Sequence, residues 1–329
     1  MHIITKLTTL LASAALVLAL AVPALTAESS PLVFQDDSGT ELRLAAPATR
    51  IVALYGAFND MLLEMGLEDR IIARTSADTR SELAALPVIG THMRPNFESV
   101  AALRPDLILQ FEGRQEAQDQ VRRLRDLGFN VAVFHGANFT DMFRIMEGIG
   151  FLAGKEDDAK SCVAAMRKRL AAIAATREGK KRPRIFFEIR SPNLLAAGEN
   201  SMASAIIEAA GGLNAVSLPD RVARLNEEEL IRLNPDAYLV QKGPMNTSPV
   251  PPAQRPHYRT LQAVKMDRVL EVDEALFSRP APGAVRAAEE LATWLNTVFT
   301  EETAYPALAI ETVPGFEDRK QMWPIAKII

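Results

Sequence analysis

The sequence predicts an α/β protein built as two lobes joined by one long helix. Three observations predict it. Apolar runs of strand length alternate with amphipathic helical segments in both halves of the chain. A long, charged helical stretch separates the halves. One segment occurs twice, as NFESVAALRPDLILQ (Asn96–Gln110) and NEEELIRLNPDAYLV (Asn226–Val240). The copies agree at the leading Asn, at Glu98/Glu228, at Leu103/Leu233, at the Pro-Asp pair and in the apolar ending.

With 329 residues the chain is long enough for two compact domains, or one large one. Hydrophobic residues make up 48% and charged residues 24%, as in an ordinary globular protein. A net charge of -4 argues against a nucleic-acid partner, which needs a concentrated basic surface. The start differs from the rest. Lys6 precedes the uncharged run LTTLLASAALVLALAV (Leu7–Val22), and small residues follow. This pattern reads as a secretory signal peptide over residues 1–27, cleaved after Ala24 or Ala27. The only cysteine is Cys162, so no intrachain disulfide forms and no cysteine near the cleavage point can carry lipid. The expected location is the periplasm, as a cleaved, non-lipidated protein.

In chain order, LVFQDDSGTELRL reads as a hairpin around Asp37-Ser38-Gly39. RIVALY is a buried strand, AFNDMLLEMG a short helix closed by Gly66, and RIIART another strand. The first repeat copy supplies helix 97–103 and strand DLILQ. Helix 115–127, strand NVAVFH and the helix FTDMFRIMEGIGFLAG complete a first lobe, 28–154, whose sheet is expected to be largely parallel. Residues 155–180 place Val163, Met166, Leu170 and Ile173 at helical spacing, with acids at the start and bases at the end. A helix of that length spans about 30 Å, enough to bridge two lobes. The second lobe, 181–299, begins with strand RIFFEI. It continues with helix SMASAIIEAAGG, the second repeat copy, the Pro-rich loop 243–256, strand RVLEVD and a last helix GAVRAAEELATWLNTVF. Residues 300–329 form a tail.

Asn96 and Asn226 are good N-caps, which puts Glu98 and Glu228 at the second helical position. An acid there offsets the positive end of the helix dipole, and Glu229 can close a capping box. Exposed at the tips of two rigidly joined lobes, the same pair also makes a two-point docking surface for a partner with paired arginines.

The chain resembles the periplasmic binding proteins of ABC importers for metal chelates: ferric siderophores, haem and vitamin B12. The resemblance covers roughly residues 32–298. It is carried by DSGTELRLAAPATRIVAL, LPVIGTHMRPNFESVAALRPDLIL, AAGGLNAV, LNEEELIRLNPDAYLV and LQAVKMDRVLEVDEALFSRPAPG in that order. It implies two Rossmann-like α/β lobes held by one helix, with the ligand in the cleft between them and little closure. It also implies that Glu98 and Glu228 pair with arginines of the two permease subunits in the inner membrane. The protein is expected to act as a monomer, with no intrinsic cofactor. Haem-binding relatives often place a Tyr or His near GTHMR, which makes His92 a candidate metal ligand.

Ligands of open α/β sheets sit beyond the carboxyl ends of the strands. The residues just after each strand are therefore cleft candidates: Tyr55, Arg94, Phe111 and Glu112 in the first lobe, with His135, and Arg190, Lys242, Phe277 and Arg279 in the second, with Tyr258 near the end of the Pro-rich loop. The arginines and Lys242 suit carboxylates on a siderophore or on haem. With two Trp and four Tyr, aromatic walls for a corrinoid are scarce, which favours an iron chelate over vitamin B12. Two other function classes remain open. The histidines form no HxxxH or HExxH pair, and no nucleophile elbow or phosphate loop occurs, which argues against an enzyme. A ligand-sensing receptor would use the same docking glutamates.

Overall fold

The computed structural model describes residues 31–113 and 115–300. The signal segment expected at 1–27 and the tail from 301 onward lie outside the described residues. The chain opens with an antiparallel hairpin of β1 (Leu32–Gln35) and β2 (Glu41–Leu44). Its turn is tied by the Asp36 carboxylate, which accepts the N–H groups of Ser38 and Thr40 at 3.0 and 2.9 Å. Gly39 supplies the positive φ of 78°. The same carboxylate accepts the Val133 N–H at 2.9 Å, so the hairpin is pinned to the first lobe.

That lobe contains β3 (Ile51–Ala53), helix α1 (Gly56–Glu64), β4 (Ile71–Ala73), α2 (Phe97–Leu103), β5 (Leu107–Phe111), α3 (Gln115–Asp126), β6 (Val131–Phe134) and α4 (Phe139–Leu152). The strands form one sheet in the order β4-β3-β5-β6, every pair parallel. Both faces are covered, as the apolar runs require. Ile51, Leu107, Leu109 and Phe134 pack to one side, and Val52, Ile108, Val131 and Val133 to the other.

Helix α5 (Glu156–Arg177) then leaves the first lobe. It buries Val163 and Met166 in the first lobe's core and Ile173 in the second's, while Leu170 packs against both. The second lobe holds β7 (Arg184–Arg190), β8 (Leu195–Ala197), α6 (Met202–Ala209), β9 (Leu213–Asn214), β10 (Val222–Arg224), α7 (Glu227–Leu233), β11 (Ala237–Lys242), α8 (Gln262–Lys265), β12 (Val269–Asp273), α9 (Glu274–Phe277) and α10 (Gly283–Val298). The main path of its sheet is β10-β8-β7-β11-β12, with β9 added alongside β7. β7, β11 and β12 are parallel, but β8 runs antiparallel to both β7 and β10. The sequence pattern showed none of β8, β9 and β10, which are only two or three residues long. Helix α10 lies along the linker. Arg169 holds Glu289 through Nε and Nη2 at 2.8 and 2.6 Å, and Arg177 donates to Asn296 at 2.9 Å.

The repeated segment builds the same object in each lobe. A capped seven-residue helix ends in a left-handed residue, Arg104 (φ 49°) or Asn234 (φ 39°), and a Pro-Asp turn leads into a buried strand. Asn96 accepts the Ser99 N–H at 3.0 Å. Asn226 and Glu229 form the complete capping box, both bonds at 2.8 Å.

Candidate functional site

Tyr55 follows β3 in extended backbone (φ -125°) immediately before α1, so its ring leaves the sheet at the carboxyl ends of the strands. It lies half-buried, 5.1 Å from Phe111, 6.0 Å from Phe58 and 6.3 Å from His92 between ring centroids. Phe111 in turn stacks on His135 at 6.4 Å, and His135 Nδ1 meets the Glu112 carboxylate at 3.0 Å. The first lobe thus presents a continuous aromatic wall from His92 to His135.

Cations of the second lobe face this wall. The Arg221 guanidinium lies 5.7 Å from the Phe111 centroid. Arg279 reaches the start of α1, where a Cβ on Gly56 would sit 3.7 Å from its Nη1. Burial pushes the Tyr55 hydroxyl above its usual range although Arg279 and Arg221 pull the other way, so it stays protonated at neutral pH. Partial desolvation, with Arg279 close by, lowers the His92 pKa and keeps the imidazole neutral. Beneath Arg221 lies a cavity lined by Ile189, Ala197, Met202, Gln241 and Ser278, with Gly136 of the first lobe at its edge. Gln241 is buried there, with its side-chain oxygen bonded to the Ser278 hydroxyl.

Beyond Arg279 the space between the lobes widens to about 680 Å³. Asp60, Asp78, Arg80 and Arg169 line it from one side, and Asp273, Arg279 and Arg286 from the other. Arg80 donates to Asp60 at 2.7 Å and also pairs with Asp78, which receives the buried Asn59 amide at 2.8 Å. Burial raises the Asp60 pKa, and Arg80 and Arg279 counter it.

Of the residues expected at the cleft, the structure brings together Tyr55, His92, Phe111 and Arg279, with Glu112 beside them. Arg190 is half-buried at the end of β7, and its Nε has no partner among the described residues. Arg94 is exposed in a tight turn closed on Thr91. Three assignments are corrected. Tyr258, 2% exposed, is a core residue packed between Tyr238 and the Arg255 guanidinium. Phe277, 3% exposed, points into the second lobe's core from α9. Lys242 turns to the opposite face of β11 from Gln241 and pairs with Glu271 at 2.9 Å. Sequence reasoning missed Arg221. It precedes its strand, β10, which at three residues leaves no pattern in the sequence. Among the described residues no group of three or more His, Cys, Asp or Glu is placed to hold a metal ion. Glu98 and Glu228 are both exposed at the second position of their helices, and neither joins an ion pair among the described residues.

A family model described as Periplasmic binding protein matches residues 51–276. An uncharacterized ABC transporter substrate-binding lipoprotein of Bacillus subtilis, YvrC, is 27% identical over 272 residues, 80% of this chain and 85% of that protein. A protein of Halobacterium salinarum named Cobalamin-binding protein is 30% identical over 220 residues, 64% of this chain and 58% of its own length. Among solved structures, the periplasmic heme-binding protein RhuT of Roseiflexus sp. RS-1 in apo form superposes with a TM-score of 0.67 at 21% identity. That match covers 76% of this chain and 99% of the other.

Proposed function

Because the chain belongs to the periplasmic binding protein family, we propose that it captures an anionic metal chelate between its lobes and delivers it to an inner-membrane ABC importer. One observation carries this reading: an aromatic wall on one lobe, Tyr55 to His135, faces Arg221 and Arg279 on the other. Such a site holds a flat or arene-bearing ligand by stacking and its carboxylates by charge-assisted hydrogen bonds. Haem and a ferric siderophore both have that chemistry. Neutral His92, with Tyr55 beside it, is the side chain best placed to reach a bound iron.

Glu98 and Glu228 would seat the two lobes on the two permease subunits, with the protein acting as a periplasmic monomer. The name of the Bacillus subtilis relative includes lipoprotein, whereas the only cysteine of this chain is Cys162, on the linker helix. A second reading, a corrinoid in the same cleft, is favoured by the name of the Halobacterium salinarum relative.

The test is to add haemin, a ferric hydroxamate and cobalamin separately to the purified protein and record absorption spectra and binding heats. Tight binding of haemin or the ferric chelate is expected. Binding of cobalamin alone overturns the anionic-chelate reading, and binding of none of the three overturns the carrier reading for this ligand class.

A further inference from the structure

Each repeated helix is fastened at the end opposite its glutamate, in both lobes by an arginine that reaches the carbonyl of the last helical residue. In the first lobe, Arg50 Nη2 donates to the Leu103 carbonyl at 2.7 Å and its Nε to the Arg104 carbonyl at 3.2 Å. In the second, Arg184 Nη1 donates to the Leu233 carbonyl at 2.8 Å. These are last-turn carbonyls, which lack partners inside the helix, and a cation there also meets the negative end of the dipole.

The backbone closes the same loop. The Asp106 carboxylate accepts the Arg50 N–H at 3.0 Å while the Asp106 N–H donates to the Arg50 carbonyl at 3.0 Å. The Asp236 carboxylate accepts the Arg184 N–H at 2.8 Å and the Asp236 N–H returns to the Arg184 carbonyl at 2.8 Å. One difference has a covalent cause. Asp106 also takes the Thr49 N–H at 2.8 Å, whereas the matching residue in the second lobe is Pro183, which has none to give. Arg50 directly precedes the inner strand β3 and Arg184 opens the inner strand β7: Ile51 pairs with Leu107, and Ile185 with Ala237.

We infer that Arg50 and Arg184 are positioning residues that fix the direction in which helices α2 and α7 present Glu98 and Glu228. A seven-residue helix does not hold its own shape in water. Each of these also has a single buried residue, Val100 or Leu230, the other six being exposed or half-buried. Its aim therefore depends on the two end fastenings: the Asn cap at the glutamate end and the arginine at the other, anchored at an inner strand of the sheet. The inference rests on the docking role proposed above for the two glutamates.

The test uses apo protein and inner-membrane vesicles of the producing cell, with co-sedimentation as the readout and haemin affinity and thermal midpoint as controls. Arg50→Ala with Arg184→Ala is expected to weaken vesicle binding about tenfold at unchanged haemin affinity, and Arg50→Lys with Arg184→Lys to recover part of it. Hydrogen exchange separates this from general damage. Arg50→Ala alone should speed exchange at 97–103 and leave 227–233 as in the wild type, and Arg184→Ala alone should do the reverse. The single variants also stand in if the double does not fold. If Glu98→Ala with Glu228→Ala binds vesicles as the wild type does, the docking role itself falls. If that pair abolishes binding while the folded arginine variants bind normally, docking stands and the positioning role is overturned.

Discussion

The guanidinium of Arg221, on the second lobe, lies 5.7 Å from the ring centroid of Phe111, on the first. The contact crosses the cleft and places a cation against the face of the aromatic wall. Replacing Arg221 by Ala should weaken haemin binding about tenfold, or ~1.4 kcal/mol. Arg221→Lys should recover only part, because an ammonium lacks the planar face that stacks on a ring. Isothermal titration of the two variants measures both effects.

His92 should titrate below its ordinary value of 6.5, because desolvation and then Arg279 disfavour the imidazolium. A histidine whose folded pKa is depressed contributes stability that is present above the unfolded value and lost as pH falls through the folded one. Arg279→Ala should bring the pKa part of the way back up, with desolvation still acting. An NMR titration of the His92 ring protons follows the shift.

A buried ion pair sits in the second lobe's core, away from the cleft. Glu188 is 0% exposed, receives Arg255 Nη2 at 2.8 Å, and takes the Tyr238 hydroxyl. Desolvation, and next the Glu188 charge, keep that hydroxyl protonated well above its usual range. Arg255→Ala strands the carboxylate and should cost about 3–5 kcal/mol of stability, whereas Glu188→Gln with Arg255→Met should cost much less. Urea denaturation distinguishes the two, and haemin affinity should hold in whichever variant folds.

Arg169 and Glu289 tie the linker to the last helix, and the hydrogen bonds from Arg169 are the main reason the Glu289 carboxyl is held below its ordinary value of 4.5. A carboxylate with a depressed pKa adds stability above its unfolded value and loses it as pH falls through the folded one. The pair is partly exposed, so its worth is about 0.2–1 kcal/mol. Glu289→Gln should therefore lower the melting temperature by about 0.5–2 °C at pH 7. The gap between variant and wild type should shrink as pH falls below 4.5.

The alternation of strands and helices was legible because parallel strands buried on both faces read as short apolar runs bounded by polar turns. The caps at Asn96 and Asn226 were legible because capping is local chemistry. Strands β8, β9 and β10 were not, since two or three residues carry no period. The cleft was half legible. Position after a strand says that a residue is near the cleft, but not which way its side chain points. Gln241 and Lys242 are neighbours on β11, and the pleat sends the first toward Ser278 and the second to Glu271. Phe277 and Arg279 are separated by one residue at the end of α9, yet one fills the core and the other faces Tyr55. The fastening of the repeated helices by Arg50 and Arg184 was beyond reach, because those residues lie about fifty positions upstream of the helices they hold.

Helix α5 is gripped by both cores and strapped to α10, a build that would leave the halves little freedom to clap shut around a guest. A carrier of this build would have no large shape change with which to announce that it is loaded. Empty and full molecules would then offer the transporter nearly the same underside and contend for one seat. Surplus unloaded protein should slow import rather than speed it, and the proportion of carriers already filled, more than their number, would set the flux.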